Sequence, residues 1–580
     1  MKYILIIGLT FVYFGCTKKS ELKIVNLKCE YQTTPLGIDN LHPRLSWQME
    51  SSVRNQKQLA YHILVSESLE ELDQDIGKVW DSKKVQSDQS ISVPFDGKIL
   101  QSGKQYYWKV KVWDQDKKQT PWSNPSNWTM GFLDDKDWKA NWIGVNFKNK
   151  KDLVNQYAAV QFRKEVRLKK KPKKAIARFS GLGFGEMYIN GQKVSNDKMA
   201  PGWTDYNKKV YYMTYDITNQ LQKGQNAFGV LLGNGWYNLP TADLFAYEKA
   251  PWKSNPKFLL NITIDYDDGS SSQIISDESW KSGTSHITFN CIRGGETIDA
   301  RKVQKDWDKV NFDDKKWENS IVVDPPLGKL TPQAIPAEQV MKLIQPIKLS
   351  EPKPGVYVYD LGVHIAGWVK FKASGKEGQL LTLDFDENLN EDGTITIKSL
   401  DSHTYGRYQV GELILSGKGF DVFEPRFTYH GFRYIQIKGL SFKPKLDDLI
   451  AAVVHNNLDP SVSFESSKVL LNKVHHAFKY AIQNSLHSVQ TEPAREKINW
   501  TQDAHNVMEG LIFNFDSYTF VNKWLDDIIE SQEINGHIPP INPAANWGFT
   551  KSNGMPPDWS DPWWGGCCFG SPMVYIQLLW

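Results

Sequence analysis

Between residues 21 and 446, apolar and polar side chains alternate in short runs, broken by Pro, Gly, Asn and Asp. AYHILVSES from Ala60 and YYWKVKVWD from Tyr106 are typical. A period of two predicts half-buried antiparallel strands, and Asn190-Gly191 inside FGEMYINGQKV predicts a tight hairpin turn. The period changes in residues 447–580. SKVLLNKVHHAFKYAIQNSLHSV and SYTFVNKWLDDIIESQ place apolar side chains three and four apart, as amphipathic helices do. These patterns divide the chain into β-sandwiches over residues 21–137, 138–332 and 333–446, followed by a helical region over 447–580. Asp459-Pro460 marks the entry to the first helix, and a Trp-rich stretch (Trp138, Trp142) links the first two sandwiches. The chain closes on the apolar run MVYIQLLW, with no cap or polar tail.

At 580 residues the chain exceeds what one core can organise, so several domains are expected. A formal charge of +3 gives no reason to expect nucleic acid or an acidic polymer as partner, and the lysines of residues 169–174 read as solvated turns. The 22 Trp, 24 Tyr and 27 Phe suit sandwich cores, with a minority available as sugar-stacking platforms. Cys29, Cys291, Cys567 and Cys568 are scattered and support neither a disulfide framework nor a zinc site. In residues 1–20, Lys2 precedes an apolar run over residues 3–14, then Gly15-Cys16 and polar TKKS. The run is too short to span a membrane and resembles a bacterial lipoprotein leader. Export to the periplasm or cell surface, with lipid attached at Cys16, is expected.

The chemistry concentrates in QTEPAREKINWTQD, residues 490–503. A helix beginning near Pro493 would place Glu496, Trp500 and Asp503 at i, i+4 and i+7, on one face. A carboxyl beside an indole wall suits a sugar-cleaving acid, because the apolar wall raises its pKa and the ring supports the sugar. The same residues also fit an acidic helix start with a core Trp. The segment alone leaves both readings open.

Four separated motifs, taken together, resemble the bacterial α-L-rhamnosidase family. They are PLGIDNLHPRLSW from Pro35; APGWTDY and LGNGWY with GGETIDAR from Gly294; DLGVHIAGWVKF from Asp360 with FTYHGFRY from Phe427; and REKINWTQDA from Arg495. The resemblance spans the mature chain in order. It implies three N-terminal β-sandwich domains, the first fibronectin-III-like, followed by an (α/α)6 barrel. It also implies inverting hydrolysis of terminal α-L-rhamnosyl groups from a glycoside or glycan. The family's segment reads Asp-Cys-Pro-x-Arg-Glu-Lys-x-Gly-Trp-x-x-Asp. By that resemblance Glu496 is the general acid, and Arg495, Trp500 and Asp503 line the rhamnose pocket. Trp559 and Asp561 resemble a later pocket segment. Thr491, Glu492 and Asn499 replace the family's Asp, Cys and Gly, so Thr491 and Glu492 become substitute sugar ligands and sugar specificity is open.

Inversion needs two carboxyls about 6.5–9.5 Å apart. On a continuous helix Asp503 would lie roughly 10 Å along the axis from Glu496, better placed to hold hydroxyls than to activate water. In the resembled family the base is a Glu much later in the barrel, beyond Trp580 here. Twelve helices need at least about 200 residues. The expectation is therefore an incomplete barrel, an exposed apolar face and weak activity of this chain alone. No cofactor is expected for the chemistry. In some family members the second domain binds rhamnose with calcium, but no loop here has fixed calcium-ligand spacing. Two rival readings remain: a glycosidase for another sugar, and a non-catalytic surface carbohydrate-binding lipoprotein using Trp203, Trp236 and Trp368. Sandwich core is the simpler role for those three.

Overall fold

The computed structural model describes residues 20–146, 157–396, 404–545 and 547–549. Cys16, Trp559, Asp561 and the closing apolar run lie outside the described residues. The chain divides into two compact units, Met1–Asp137 and Trp138–Trp580.

The first unit is a sandwich. A three-stranded sheet (Lys23–Cys29, Arg44–Glu50, Val93–Pro94) faces a larger sheet built on Gln58–Ser66 and Gln105–Asp114. The alternation read from the sequence decides the faces: Tyr106, Trp108, Val110 and Val112 all point inward and are buried. They pack with Trp47, Phe95 and Trp128 in one core. A single-turn helix, α1 (Leu69–Asp73), is capped by the Ser68 hydroxyl.

The second unit begins with another sandwich, of six and seven strands among the described residues. Its longest pairings join Val160–Leu168 to Gly224–Gly233 and Lys174–Leu182 to Lys257–Asp265. Phe162, Phe179, Phe258 and Trp280 fill the space between the sheets. The expected hairpin forms, with both turn residues at positive φ (Asn190 52°, Gly191 84°) and Ile189 paired to Gln192. Trp142, expected in a linker, is buried in the core.

Two boundaries move. Among the described residues the third domain is one ten-stranded sheet, and it recruits Ile287–Cys291 and Gly295–Asp299 from the stretch assigned to the second domain. It also continues beyond residue 446, because Leu449–Asn456 pairs with both Val356–Ser374 and Glu338–Ile344. LIAAVVHN is apolar on nearly every position and is buried on both faces, so neither periodicity marks it as strand. The 19-residue strand Val356–Ser374 shifts register against His430–Lys438 between Asp360 and Ile365, and its other neighbour changes from Lys348–Lys353 before the shift to Leu449–Asn456 after it.

Among the described residues three helices follow: α2 (Val469–Asn484), α3 (Thr501–Asn514) and α4 (Tyr518–Ser531). Ala504, Met508 and Leu511 of α3 meet Phe520, Val521, Trp524 and Ile528 of α4 in one cluster, the contact that i, i+4 spacing provides. Ile482 at the end of α2 joins them, but Val469, Leu470, Leu471, Val474 and Phe478 stay exposed.

Trp203, Trp236 and Trp368 are core. Trp203 and Trp236 stack at 4.1 Å with rings 11° apart, and all three are buried. As sugar platforms they would have to be open. Trp203→Ala should therefore cost about 3–5 kcal/mol, read from the urea midpoint. An unchanged midpoint would refute its core role.

Candidate active site

The segment carrying Glu496 is a loop, not the start of a long helix. Pro493 does begin a turn: the Glu492 carboxylate accepts the amides of Ala494 (2.8 Å) and Arg495, as an N-cap would. The turn stops after one cycle. Lys497 has φ +57°, and its amide returns to the Glu492 carbonyl at 3.1 Å. A non-Gly residue takes that conformation only when its surroundings require it. Here the Lys497 ammonium runs inward and donates to the carbonyls of Tyr429 (2.7 Å) and Ile292 (3.3 Å). Helix α3 starts only at Thr501, whose amide meets the Pro540 carbonyl at 2.9 Å, with Trp500 as its extended cap residue. Glu496, Trp500 and Asp503 are thus not on one helical face.

The loop rests on a floor made by the β-domains. Tyr408 donates its hydroxyl toward the carbonyls of Ala494 and Arg495, and Arg293 Nε donates to the Glu496 carbonyl at 2.8 Å. Arg293 is ion-paired with Asp243, both side chains fully buried. Gly431 of the FTYHGFRY motif lies so near the Ala494 backbone that a Cβ would meet it at 2.8 Å. Upstream, His487 stacks on Tyr429 at 3.8 Å and pairs with Glu338 at 2.7 Å, and Ser488 N donates to Asn456 Oδ1 at 2.6 Å. Asn484 Oδ1 receives the Ala366 amide at 3.0 Å, tying the end of α2 to the DLGVHIAGWVKF motif.

On this floor Glu496 is only 6% exposed, while Arg495 keeps 49% of its side chain open, with Nε 4.0 Å from the Glu496 carboxylate. Asp503, on the exposed first turn of α3, is within electrostatic reach. Desolvation first and the Glu496 charge second raise its pKa, against Arg495. Burial likewise raises the pKa of Glu492, with its two amide bonds opposing. Glu492, Arg495, Glu496 and Asp503 therefore form one charged cluster. Thr491 does not open onto it: the residue is buried, its amide bonds the Ser485 carbonyl and its hydroxyl faces the Glu492 carbonyl at 3.3 Å. Trp500 packs edge-on against Phe245 (5.8 Å) and Trp547 (5.6 Å). Neither partner of Trp500 was evident from the sequence, since both sit in irregular segments without periodicity. Arg293 was equally silent, one residue before a quoted motif. Among the described residues no group of three His, Cys, Asp or Glu side chains is placed to hold a metal ion.

Four family models match successive parts of the chain. They are a Rha78A-like N-terminal immunoglobulin domain (residues 24–134), the α-L-rhamnosidase N-terminal domain (170–342), the bacterial α-L-rhamnosidase concanavalin-like domain (350–455) and its six-hairpin glycosidase domain (459–567). An α-L-rhamnosidase of Formosa agariphila is 35% identical over 566 residues, covering 91% of this chain and 58% of that protein. The structure of α-L-rhamnosidase from Dictyoglumus thermophilum superposes with a TM-score of 0.86 at 35% identity, covering 97% of this chain and 62% of that one. A Streptomyces avermitilis α-L-rhamnosidase complexed with L-rhamnose gives 0.83 at 26% identity, covering 91% and 67%. Successive β-domains flooring a carboxylate loop, read with these likenesses, place the chain in the class of multidomain glycoside hydrolases. It belongs to the bacterial α-L-rhamnosidase family. The chain spans about three fifths of the Formosa and Dictyoglumus proteins.

Burial lowers the Lys497 pKa to about 7, far below an ordinary Lys at about 10.4. Between those values the unfolded chain binds more protons than the folded one, so this group adds stability as pH rises through the window. Relative to Lys497→Met, the wild type should gain stability from about pH 7 to about pH 10, measured by urea midpoints. A difference that stays flat would refute the burial of a titrating ammonium.

Proposed function

We propose that this chain serves the hydrolysis of terminal α-L-rhamnosyl groups with inversion, with Glu496 as the proton donor. The observation that carries the reading is the loop itself. It holds one nearly buried carboxyl, Glu496, with Arg495 and Asp503 beside it in more open positions. A departing glycosidic oxygen needs a positioned proton, and the sugar hydroxyls need polar groups around it. Arg495 and Asp503 fill the second role. Trp500, backed by Phe245 and Trp547, presents an aromatic wall. Helices α2 to α4 then form the opening of an α/α barrel, a reading supported by the six-hairpin glycosidase match over residues 459–567. Inversion also needs a base that activates water on the opposite face of the ring. We assign that base to no described residue.

Glu496→Gln should slow hydrolysis of phenyl α-L-rhamnoside by about 10²–10⁴-fold. It should slow the dinitrophenyl glycoside far less, because that leaving group departs without protonation. Equal losses on the two substrates, or none, would reject Glu496 as the acid. Proton NMR of the first-formed sugar should show β-L-rhamnose.

We also propose export with lipid attached at Cys16, supported by the leader-like residues 1–20. Palmitate labelling in cells should disappear in Cys16→Ser, and labelling that persists would reject the site.

A further inference from the structure

We propose that Arg293, clamped by Asp243, is a positioning residue for the proton donor, and that the same clamp fixes the aromatic wall. The proposal rests on the reading of Glu496 as the acid. Arg293 lies in the turn between Ile287–Cys291 and Gly295–Asp299, some two hundred residues before Glu496 in sequence, yet its Nε donates to the Glu496 carbonyl at 2.8 Å. Its guanidinium lies over Trp236 at 4.9 Å and Tyr247 at 5.5 Å, and its Nη1 pairs with one Asp243 carboxylate oxygen. The other Asp243 oxygen accepts the Phe245 amide at 2.7 Å. Phe245 in turn packs edge-on against Trp500 and Trp547. One buried carboxylate therefore connects the backbone of the acid to the ring wall.

A guanidinium suits this role because its planar fork donates in two fixed directions at once. An ammonium at the same place keeps the charge that Asp243 needs but cannot hold both bonds. The Glu496 carboxyl is one short side chain away from the pinned carbonyl. Freedom in the turn becomes misplacement of the proton, and small misplacements cost large factors in rate. Arg293 touches no reacting atom. Its effect passes through Glu496.

The test is Arg293→Lys in the full chain, with steady-state kinetics on phenyl and dinitrophenyl α-L-rhamnosides and hydrogen exchange of residues 490–503. The expected result is a loss of kcat of about tenfold or more on the phenyl glycoside. KM should hold within about threefold, the dinitrophenyl rate should be nearly unchanged, and the loop amides should exchange faster. Equal losses on both substrates, or a wild-type rate on the phenyl glycoside, would overturn the proposal. If neither glycoside turns over, exchange alone decides: faster exchange confined to this loop supports the proposal, and unchanged exchange overturns it. If Arg293→Lys does not fold, Asp243→Asn is measured in its place, because it keeps an acceptor for the Phe245 amide, and the same outcomes apply. A Glu496→Gln variant without leaving-group dependence sinks the acid reading whatever Arg293→Lys shows. If Glu496→Gln shows that dependence and Arg293→Lys does not, only the positioning proposal fails.

Discussion

A turn too short to be a helix leaves backbone carbonyls without partners, and buried carbonyls need donors. That constraint organises the site. In a continuous helix the carbonyls of Ala494, Arg495 and Glu496 would bond to amides four residues on. Here the chain turns away at Lys497, and the donors come from elsewhere: Tyr408 for the first two and Arg293 for the third. Lys497 completes the exchange by donating back to Ile292 and Tyr429. The Glu496 loop and the β-structure beneath it satisfy each other, so neither surface is complete alone.

The arrangement explains why the second and third β-domains interlock. The hairpin bearing Arg293 pairs with the third domain's sheet, while Asp243 belongs to a loop of the second sandwich. A fully buried ion pair of this kind contributes little net stability, because desolvation of both charges offsets their attraction. Its value lies in register: removing either partner leaves a charge with no solvent, so the two loops cannot slide past each other. Trp236 lies under the Arg293 guanidinium and stacks on Trp203, so this aromatic pair is buried behind the Glu496 loop's anchor and not on the surface.

The sandwich strands were legible because alternation over a half-exposed sheet is a direct imprint of geometry, as Tyr106 to Val112 illustrate. Leu449–Asn456 was not, because a strand buried on both faces has no alternation to read. Helices α2 and α4 were legible from spacing. The start of α3 was misplaced because Pro493 and Glu492 do carry a true start signal, but one that serves a single turn. What cancels it is the pull of the Tyr429 and Ile292 carbonyls on Lys497, a tertiary effect that no local pattern records. Glu496 could be singled out from its motif, whereas Arg293, Asp243 and Phe245 could not, since their roles arise only from contacts distant in sequence.

The loop also clarifies what the substitutions at its head do. The resemblance gives an Asp at the position of Thr491 the task of holding sugar hydroxyls, and Glu492 stood as a substitute one residue away. In the folded loop both Glu492 oxygens accept amides of its own turn, and Thr491 is buried against the Glu492 carbonyl. These two amide bonds fix the orientation of the carboxylate, and turning it toward a ligand would uncap the turn that carries Glu496. On the proposed reading, the hydroxyl-binding task falls to the groups that remain open, Arg495 and Asp503. Their charges oppose each other across Glu496: Arg495 steadies the carboxylate of Asp503 while Glu496 disfavours it. On the proposed reading, a sugar would meet the Arg495 cation with the Asp503 carboxyl beside it, the two held apart by the buried Glu496.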